Sequence, residues 1–180
     1  VYAQSKVAAE KKVLEARQGG ILTAILRFSN VFGRIFDYPD RVIPAFCRAA
    51  LSGEPLRVEG TDNIFDFTFV EDVVRGIAKV IDIFTANPRY LPPIHLTTGR
   101  GISLSEAART IVNLTNSSSQ IKETTPRSFD VSRFYGDPSR AKSLLEWSSY
   151  FSFEEALGKF LPNLKTHLEE EQFAFQRVAS

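Results

Sequence analysis

The sequence is poor in the residues that bind metal ions or form disulfides. Among its 180 residues it has one cysteine, Cys47, two histidines and no methionine. A single cysteine cannot form a disulfide within the chain, and one cysteine with two histidines cannot supply the four ligands of a structural zinc site. We therefore expect neither an internal disulfide nor a metal site.

The chain also lacks a surplus of charge and a long apolar run. Its 22 Lys and Arg residues nearly balance 21 Asp and Glu residues, so nothing in the charge favours binding to nucleic acid or to an anionic membrane. No apolar run approaches the roughly 20 residues that cross a bilayer, and the N-terminus has no signal-peptide pattern. The sequence therefore predicts a cytoplasmic globular protein without a nucleic-acid or membrane partner.

Helix-forming and strand-forming segments alternate along the chain. Residues 2–18 are rich in good helix formers and end at two glycines, and residues 21–28 form the apolar run typical of a buried parallel strand. Further helices are predicted over 42–52 and 70–84 and after Asp137, Ser103 and Ser152, with short strands over 56–58, 66–69 and 94–97 and a loop over 29–40. This alternation predicts an α/β fold.

Local signals make more specific predictions for some helices. Ser103 with Glu106, and Ser152 with Glu155, have the spacing of a capping box, in which each residue satisfies a free backbone N–H. The charged residues 168–180 are expected to fray. The helix over 70–84 is expected to face the core with the apolar residues Val73, Ile77, Val80, Ile81 and Phe84.

Tyr2 and Lys6 form the strongest candidate for a catalytic pair. They lie four residues apart in a predicted helix, so both side chains leave the same face. An ammonium beside a phenol stabilises the phenolate, which suits the pair to move the proton of an alcohol while a hydride leaves the same carbon. The same spacing also occurs by chance in many chains without any chemical role.

Several motifs follow this helix in a fixed order. They are LRFSNVFG at 26–33, DFTFVEDVV at 66–74, HLTTG at 95–99, PRSFDV at 126–131, and DPSRAK at 137–142 with LLEW at 144–147. In this order and spacing the chain resembles the C-terminal half of the extended short-chain dehydrogenase/reductases. Within that group it is most similar to the NAD-dependent nucleotide-sugar epimerases and dehydratases, from Tyr2 to about Leu161.

The resemblance implies how the chain is organised. It implies the C-terminal part of a Rossmann-type parallel sheet plus a small α/β substrate-binding domain. Residues 1–30 and 91–98 would be the last sheet elements, residues 31–90 and 99–165 the substrate-binding region, and residues 166–180 a tail. The GxxGxxG half, which holds most of the cofactor, NAD or NADP, is expected in an N-terminal portion outside this chain. Without that portion, this chain should be inactive.

The resemblance also implies roles for residues near the cofactor. Tyr2 would be the acid/base, and Lys6 would stabilise its phenolate and bind the nicotinamide ribose. Ser29 would lie beside the nicotinamide through its backbone.

Four further residues would contact the nucleotide sugar. Asn30 would reach the diphosphate, and Val42 would cover the nucleotide with an apolar contact. Arg127 would grip the diphosphate, because a guanidinium fits phosphate oxygens. Asp130 would complete the family's Arg-x-x-Asp turn, although a carboxylate there that only fixes the loop or pairs with Arg127 or Arg133 is an equally good interpretation.

Phe65 departs from the family pattern. Many nucleotide-sugar enzymes have an arginine at this place, and a phenyl ring cannot neutralise phosphate. The anion site would then depend on Arg34, Arg41 or Arg57. The related sterol and 3β-hydroxysteroid dehydrogenases also have an apolar residue here, which makes them the main enzymatic alternative.

The function implied is oxidation of a sugar carbon, with C4 as the expected position. Tyr2 would take the hydroxyl proton and a 4-keto intermediate would form, from which the protein would act as an epimerase or a dehydratase. The helix with Tyr2 and Lys6 would form a homodimer through a four-helix bundle. A fragment that only dimerises or binds nucleotide without turnover is the alternative from another class.

Other polar residues have structural interpretations. We interpret Asp72 as a cap or orienting group for the helix that begins near Val70. Cys47, His95 and Trp147 are interpreted as packing residues.

Overall fold

The computed structural model describes residues 2–125 and 131–178 of the chain. Its helices are α1 (Tyr2–Gln18), α2 (Val42–Ser52), α3 (Val70–Ala86), α4 (Leu104–Thr115), α5 (Ser139–Leu145) and α6 (Phe153–Val178). Its strands are β1 (Leu26–Phe28), β2 (Asn30–Phe32), β3 (Leu56–Glu59), β4 (Ile64–Phe65), β5 (Phe67–Phe69), β6 (Ile94–Leu96), β7 (Ile102–Ser103), β8 (Ile121–Thr124) and β9 (Arg133–Phe134). No helix in these two ranges combines the length and apolarity needed to cross a membrane.

The strands pair mainly in parallel, which confirms the α/β class. Three parallel pairs join β1 to β6, β2 to β5 and β3 to β8. In the remaining sheet, β4 lies between β7, which is antiparallel to it, and β9, which is parallel. Parallel pairs bring their carboxyl ends to the same edge, so β1 and β6 end together, as do β2 and β5.

The observed strands differ from the predictions over residues 21–28, 29–40 and 66–69. The run over 21–28 is a strand only from Leu26 to Phe28, and Ile21 is 60% exposed. The segment predicted as a loop over 29–40 contains β2, because Phe32 enters the core and Asn30–Phe32 pairs with β5. The single strand predicted over 66–69 begins one residue later, because Asp66 separates β4 from β5.

Two apolar cores hold the elements together. The larger core joins α2, α4 and α6 to strands β2, β3 and β5, and its central side chains include Leu56, Ile111 and Leu157. Cys47 lies fully buried in this core, as predicted, and burial raises the pKa of its thiol to about 12. The smaller core packs α3, β6 and α5 around Trp147, which is also fully buried, as predicted.

The predicted capping residues are largely confirmed. The Glu106 N–H donates to the Ser103 hydroxyl at 3.1 Å, and the Glu106 carboxylate lies 3.9 Å from Arg100. At the start of α6 both halves of the box form, with the Ser152 N–H donating to Glu155 Oε2 at 2.8 Å and the Glu155 N–H donating to Ser152 Oγ at 3.2 Å. The hydrogen bond from the Ser152 backbone lowers the pKa of the Glu155 carboxyl.

The helix predicted after Asp137 begins one residue later than expected. It starts at Ser139, whose N–H donates to Asp137 Oδ1 at 2.9 Å. Residues predicted to fray after 168 continue α6 to Val178. A charged pair one turn apart, Lys165 with Glu169 at 4.0 Å, supports this extension.

The buried face of α3 differs from the predicted one. Val73 and Val80 are buried, whereas Ile77 and Ile81 are 36% and 58% exposed. The buried stripe runs instead through Gly76, where an added Cβ would lie 2.7 Å from Leu96 Cδ1. Glycine therefore lets α3 approach β6 closely and turns the bulky isoleucines away from the core.

Candidate functional site

Tyr2 and Lys6 leave the same face of α1. The Lys6 ammonium lies 5.3 Å from the centre of the Tyr2 ring, a distance at which a cation is attracted to an aromatic face. Tyr2 is 75% exposed, and α1 buries none of its residues. Among the described residues, the Tyr2 hydroxyl and the Lys6 ammonium have no hydrogen-bond or ion-pair partner. Both polar groups are thus available to a ligand that covers this face of α1.

Contacts between α1 and the following strand show which end of the sheet Tyr2 approaches. Near the end of α1, Arg17 donates to the carbonyl of Thr23 at 3.1 Å. Further back along α1, Glu10 accepts two hydrogen bonds from Arg27 in β1, at 2.8 and 2.7 Å. These bonds lower the pKa of the Glu10 carboxyl. The helix therefore runs antiparallel to β1, and its first turn, with Tyr2, extends toward the carboxyl end of that strand.

Ser29 and Asn30 follow that carboxyl end directly, and the Asp66 backbone fixes both. The Asp66 carbonyl accepts the Asn30 N–H at 3.0 Å and also accepts the Ser29 hydroxyl. The segment between β1 and β2 is therefore tied to the segment between β4 and β5.

A small, shallow cleft, open to solvent, lies beside this segment. Asn30 and Val42, two predicted substrate contacts, both line it, together with Arg41. Its other lining residues are mainly apolar: Val31, Phe32, Ile43, Pro44 and Phe67. The cleft thus brings an amide, a guanidinium and an apolar wall together at the surface of this chain.

The N-terminus of α2 adds positive potential to the cleft. The helix begins at Val42, and its cap residue, Arg41, forms no side-chain cap hydrogen bond. The first turn contains no acidic residue, and its free N–H groups are those of Val42 and Ile43, because the third residue is Pro44. Free N–H groups and the helix dipole favour an anion at such an end. The Arg41 guanidinium is held 3.6 Å from Asp37 Oδ1.

Of the three arginines that could compensate for Phe65, Arg41 is the one that lines the cleft. All three side chains are exposed, and Arg34 and Arg57 do not line the cleft. Phe65 itself is half-buried in β4, opposite Ile102 of β7 and Phe134 of β9. Sequence reasoning could not rank the three arginines, because their ranking depends on which of them borders the cleft.

Two predicted substrate contacts, Arg127 and Asp130, lie outside the described residues. Within residues 2–125 and 131–178, no three His, Cys, Asp or Glu side chains are grouped so that they could hold a metal ion.

Asp72 has a different role from the one predicted. The cap of α3 is Phe69, and no side chain caps that end. The Asp72 carboxylate is fully buried and accepts the N–H groups of Tyr150 at 2.9 Å and Phe151 at 3.2 Å, as well as a bond from Arg75. Asp72 therefore fixes the loop before α6 to α3.

Comparison with known proteins identifies the family of the chain. The NAD dependent epimerase/dehydratase family matches residues 1–90, half of the chain. UDP-glucuronic acid decarboxylase 1 of Xenopus tropicalis is 29% identical over 157 residues, which are 86% of this chain and 36% of that relative. UDP-glucuronic acid decarboxylase 3 of Arabidopsis thaliana is 32% identical over 162 residues, which are 87% of this chain and 45% of that relative. The chain thus spans less than half the length of either relative.

A solved structure shares the fold. MoeE5 in complex with UDP-glucose and NAD is 27% identical, with a TM-score of 0.71 over 79% of this chain and 47% of MoeE5. The ordered motifs, the parallel α/β fold and the match over residues 1–90 lead to one assignment. The chain belongs to the NAD dependent epimerase/dehydratase family.

Proposed function

We propose that the protein containing this chain is an NAD-dependent enzyme that acts on a nucleotide-diphosphate sugar as an epimerase or a dehydratase. The observation that carries the proposal is the cleft in which Asn30 and Val42 meet Arg41 and the N-terminus of α2. An anion-favouring helix end beside an apolar wall suits a ligand with both a diphosphate and a base. UDP is named in the relatives' substrate and in the MoeE5 complex, which supports a UDP-sugar.

In the proposed reaction, Tyr2 accepts the proton of the sugar C4 hydroxyl. The Lys6 ammonium stabilises the resulting phenolate and binds the nicotinamide ribose, and the Ser29 backbone lies beside the nicotinamide. NAD⁺, when bound, supplies the hydride acceptor for the same carbon. Loss of the proton and the hydride leaves a 4-keto sugar.

A 4-keto sugar explains why related enzymes can have different products. Returning the hydride to the opposite face inverts C4. Loss of water from the neighbouring carbons instead gives an unsaturated ketone, which becomes a 4-keto deoxy sugar when it takes up the hydride and a proton. When C5 carries a carboxylate, the ketone lies β to it, and such acids readily lose CO₂. The decarboxylases among the relatives are consistent with the same first oxidation.

The proposal assigns the remaining predicted residues as well. Asn30 and Val42 contact the nucleotide sugar, and Arg127 and Asp130 complete the diphosphate site. Residues 31–90 and 99–165 hold the substrate, whereas residues 1–30 and 91–98 belong to the cofactor-binding sheet. The exposed helix α1 is the proposed homodimer element.

The proposal predicts ligand-specific stabilisation of the full-length protein. UDP-glucose or UDP-glucuronic acid at about 100 times its Kd contributes about 2.7 kcal/mol of stability, so we expect the Tm to rise by several degrees in a thermal-shift assay. A 3β-hydroxysteroid should leave the Tm unchanged. Stabilisation and turnover of the steroid alone would favour the alternative suggested by Phe65, and UDP binding without turnover of any UDP-sugar would indicate a nucleotide-binding module.

The cleft also predicts a specific contribution from Arg41. The Arg41→Ala variant should bind UDP about tenfold more weakly by isothermal titration calorimetry, because a charge-assisted hydrogen bond to phosphate is lost. Arg57→Ala is the matched control, since it removes the same charge from an exposed position outside the cleft. Equal weakening in both variants would show that net charge, and not the cleft, sets the affinity.

A further inference from the structure

We propose that Asp66 is a positioning residue for the substrate site: its buried carboxylate fixes its own backbone, and that backbone fixes Ser29 and Asn30. The inference rests on the proposed function, which makes Ser29 a cofactor contact and Asn30 a substrate contact. No atom of Asp66 needs to touch either ligand for this role.

Asp66 lies where the chain passes from one sheet to another. It follows β4, which pairs with β7 and β9, and precedes β5, which pairs with β2. Its N–H donates to the Phe134 carbonyl at 3.0 Å, and its carbonyl accepts the Asn30 N–H at 3.0 Å and the Ser29 hydroxyl. One residue therefore joins the end of β9 to the start of β2.

The Asp66 carboxylate also binds a third segment, the turn after β6. Asp66 Oδ1 accepts the Thr98 N–H at 3.0 Å, the Thr98 hydroxyl at 2.8 Å and the Thr68 hydroxyl at 3.2 Å. Oδ2 accepts the Gly99 N–H at 2.7 Å. The side chain is fully buried, and a carboxylate in such a position is stabilised only when donors surround it. Each of these four donors needs an acceptor. A carboxylate accepts hydrogen bonds on both of its oxygens, whereas the amide group of an asparagine accepts on only one atom.

The two sets of hydrogen bonds act on neighbouring strand ends. Phe28, the residue before Ser29, pairs with Leu96, two residues before Thr98. The carboxylate holds the turn after β6, while the carbonyl of the same residue holds the turn after β1. Because carboxylate and carbonyl share one Cα, releasing the carboxylate displaces the carbonyl and with it Asn30. Displacement by about 1 Å is enough to disturb a binding or catalytic arrangement.

Asp72 provides a matched control. It is as fully buried as Asp66, and its carboxylate also accepts two backbone N–H groups, those of Tyr150 and Phe151. These two N–H groups lie in the loop before α6, and its third partner, Arg75, lies in α3. None of the three belongs to the segment that contains Ser29 and Asn30. Any general decrease in the free energy of unfolding should therefore be similar in Asp66→Asn and Asp72→Asn.

The test compares these two variants in the full-length protein by amide hydrogen exchange and by UDP titration. In Asp66→Asn, the side-chain NH₂ is a donor and cannot accept the hydrogen bonds that the carboxylate accepts. We therefore expect the backbone amide hydrogen of Asn30 to exchange about tenfold faster than in wild type. We also expect UDP to bind about tenfold more weakly. In Asp72→Asn, both quantities should stay near the wild-type values. If Asp66→Asn fails to fold, Thr98→Val, which removes only one donor to the carboxylate, should shift both quantities in the same direction by a smaller factor.

Equal exchange at Asn30 in the two aspartate variants would overturn the inference, as would faster exchange with unchanged UDP affinity. Failure of the wild-type protein to bind UDP would instead overturn the proposed function. The exchange measurement needs no ligand, so the two failures are distinguishable.

Discussion

Tyr2→Phe should lower turnover of a UDP-sugar by the full-length protein by a factor of about 10² to 10⁴. The substitution keeps the ring and removes only the hydroxyl, the group that accepts the sugar proton in the proposed reaction. Tyr2 is 75% exposed and α1 buries no residue, so the change should have little effect on folding. Affinity for UDP should persist, because the cleft lined by Asn30 and Arg41 is unchanged.

The test measures kcat and UDP affinity separately and asks whether only kcat falls. Turnover is followed by separating substrate and product, and UDP affinity by calorimetry on the same preparation. Tyr150→Phe is the control, because Tyr150 is 76% exposed and lies outside the proposed site. Wild-type turnover in Tyr2→Phe would disprove the assigned role, and a parallel loss of UDP affinity would show that the phenol acts in binding.

In the proposed reaction, the exposed Tyr2 needs a surface that covers it. A phenolate is activated most strongly where water is excluded and nearby charges are weakly screened. Within the described residues, Lys6 is the cation beside Tyr2, and both side chains face outward from α1. In the proposed enzyme, bound cofactor and sugar supply the missing cover on that face.

Local signals predicted the helices best. The bounds of α1 and α2 agree with the predictions, because each helix ends where the sequence changes abruptly to glycine. Gly53 after α2 adopts a φ of 73°, a conformation that glycine adopts without strain. These signals lie within a few residues of the feature they determine.

Features that depend on distant segments could not be predicted in this way. The strand β2 forms because Asn30–Phe32 pairs with β5, which lies far along the chain. The buried face of α3 depends on the approach of Gly76 to Leu96, which no helical periodicity reveals. In the site, the family resemblance named Asn30 and Val42, but only the folded backbone shows that they share a cleft with Arg41. The hydrogen bonds of Asp66 could not be predicted for the same reason, since three of its partner segments are distant in sequence.

Trp147→Ala should lower the free energy of unfolding by about 3 to 5 kcal/mol. Trp147 is fully buried in the smaller core, with Val80, Ile94 and Leu96 among its cluster. Its indole N–H also donates to the Asp72 carbonyl at 2.9 Å. The variant therefore leaves a cavity and an unpaired acceptor, and the loss is a large share of the roughly 5 to 15 kcal/mol that stabilises a typical protein.

Chemical denaturation followed by far-UV circular dichroism measures this loss without depending on indole fluorescence. Trp147→Phe separates the two contributions, because it refills most of the cavity and removes only the N–H donor. We expect Trp147→Phe to lose about 1 to 3 kcal/mol, the range for an unpaired buried acceptor with some loss of packing. Tyr150→Ala, at an exposed aromatic nearby, should lose much less. A loss below about 1 kcal/mol in Trp147→Ala would mean that α3, β6 and α5 stay together without the indole, and that the smaller core does not depend on it.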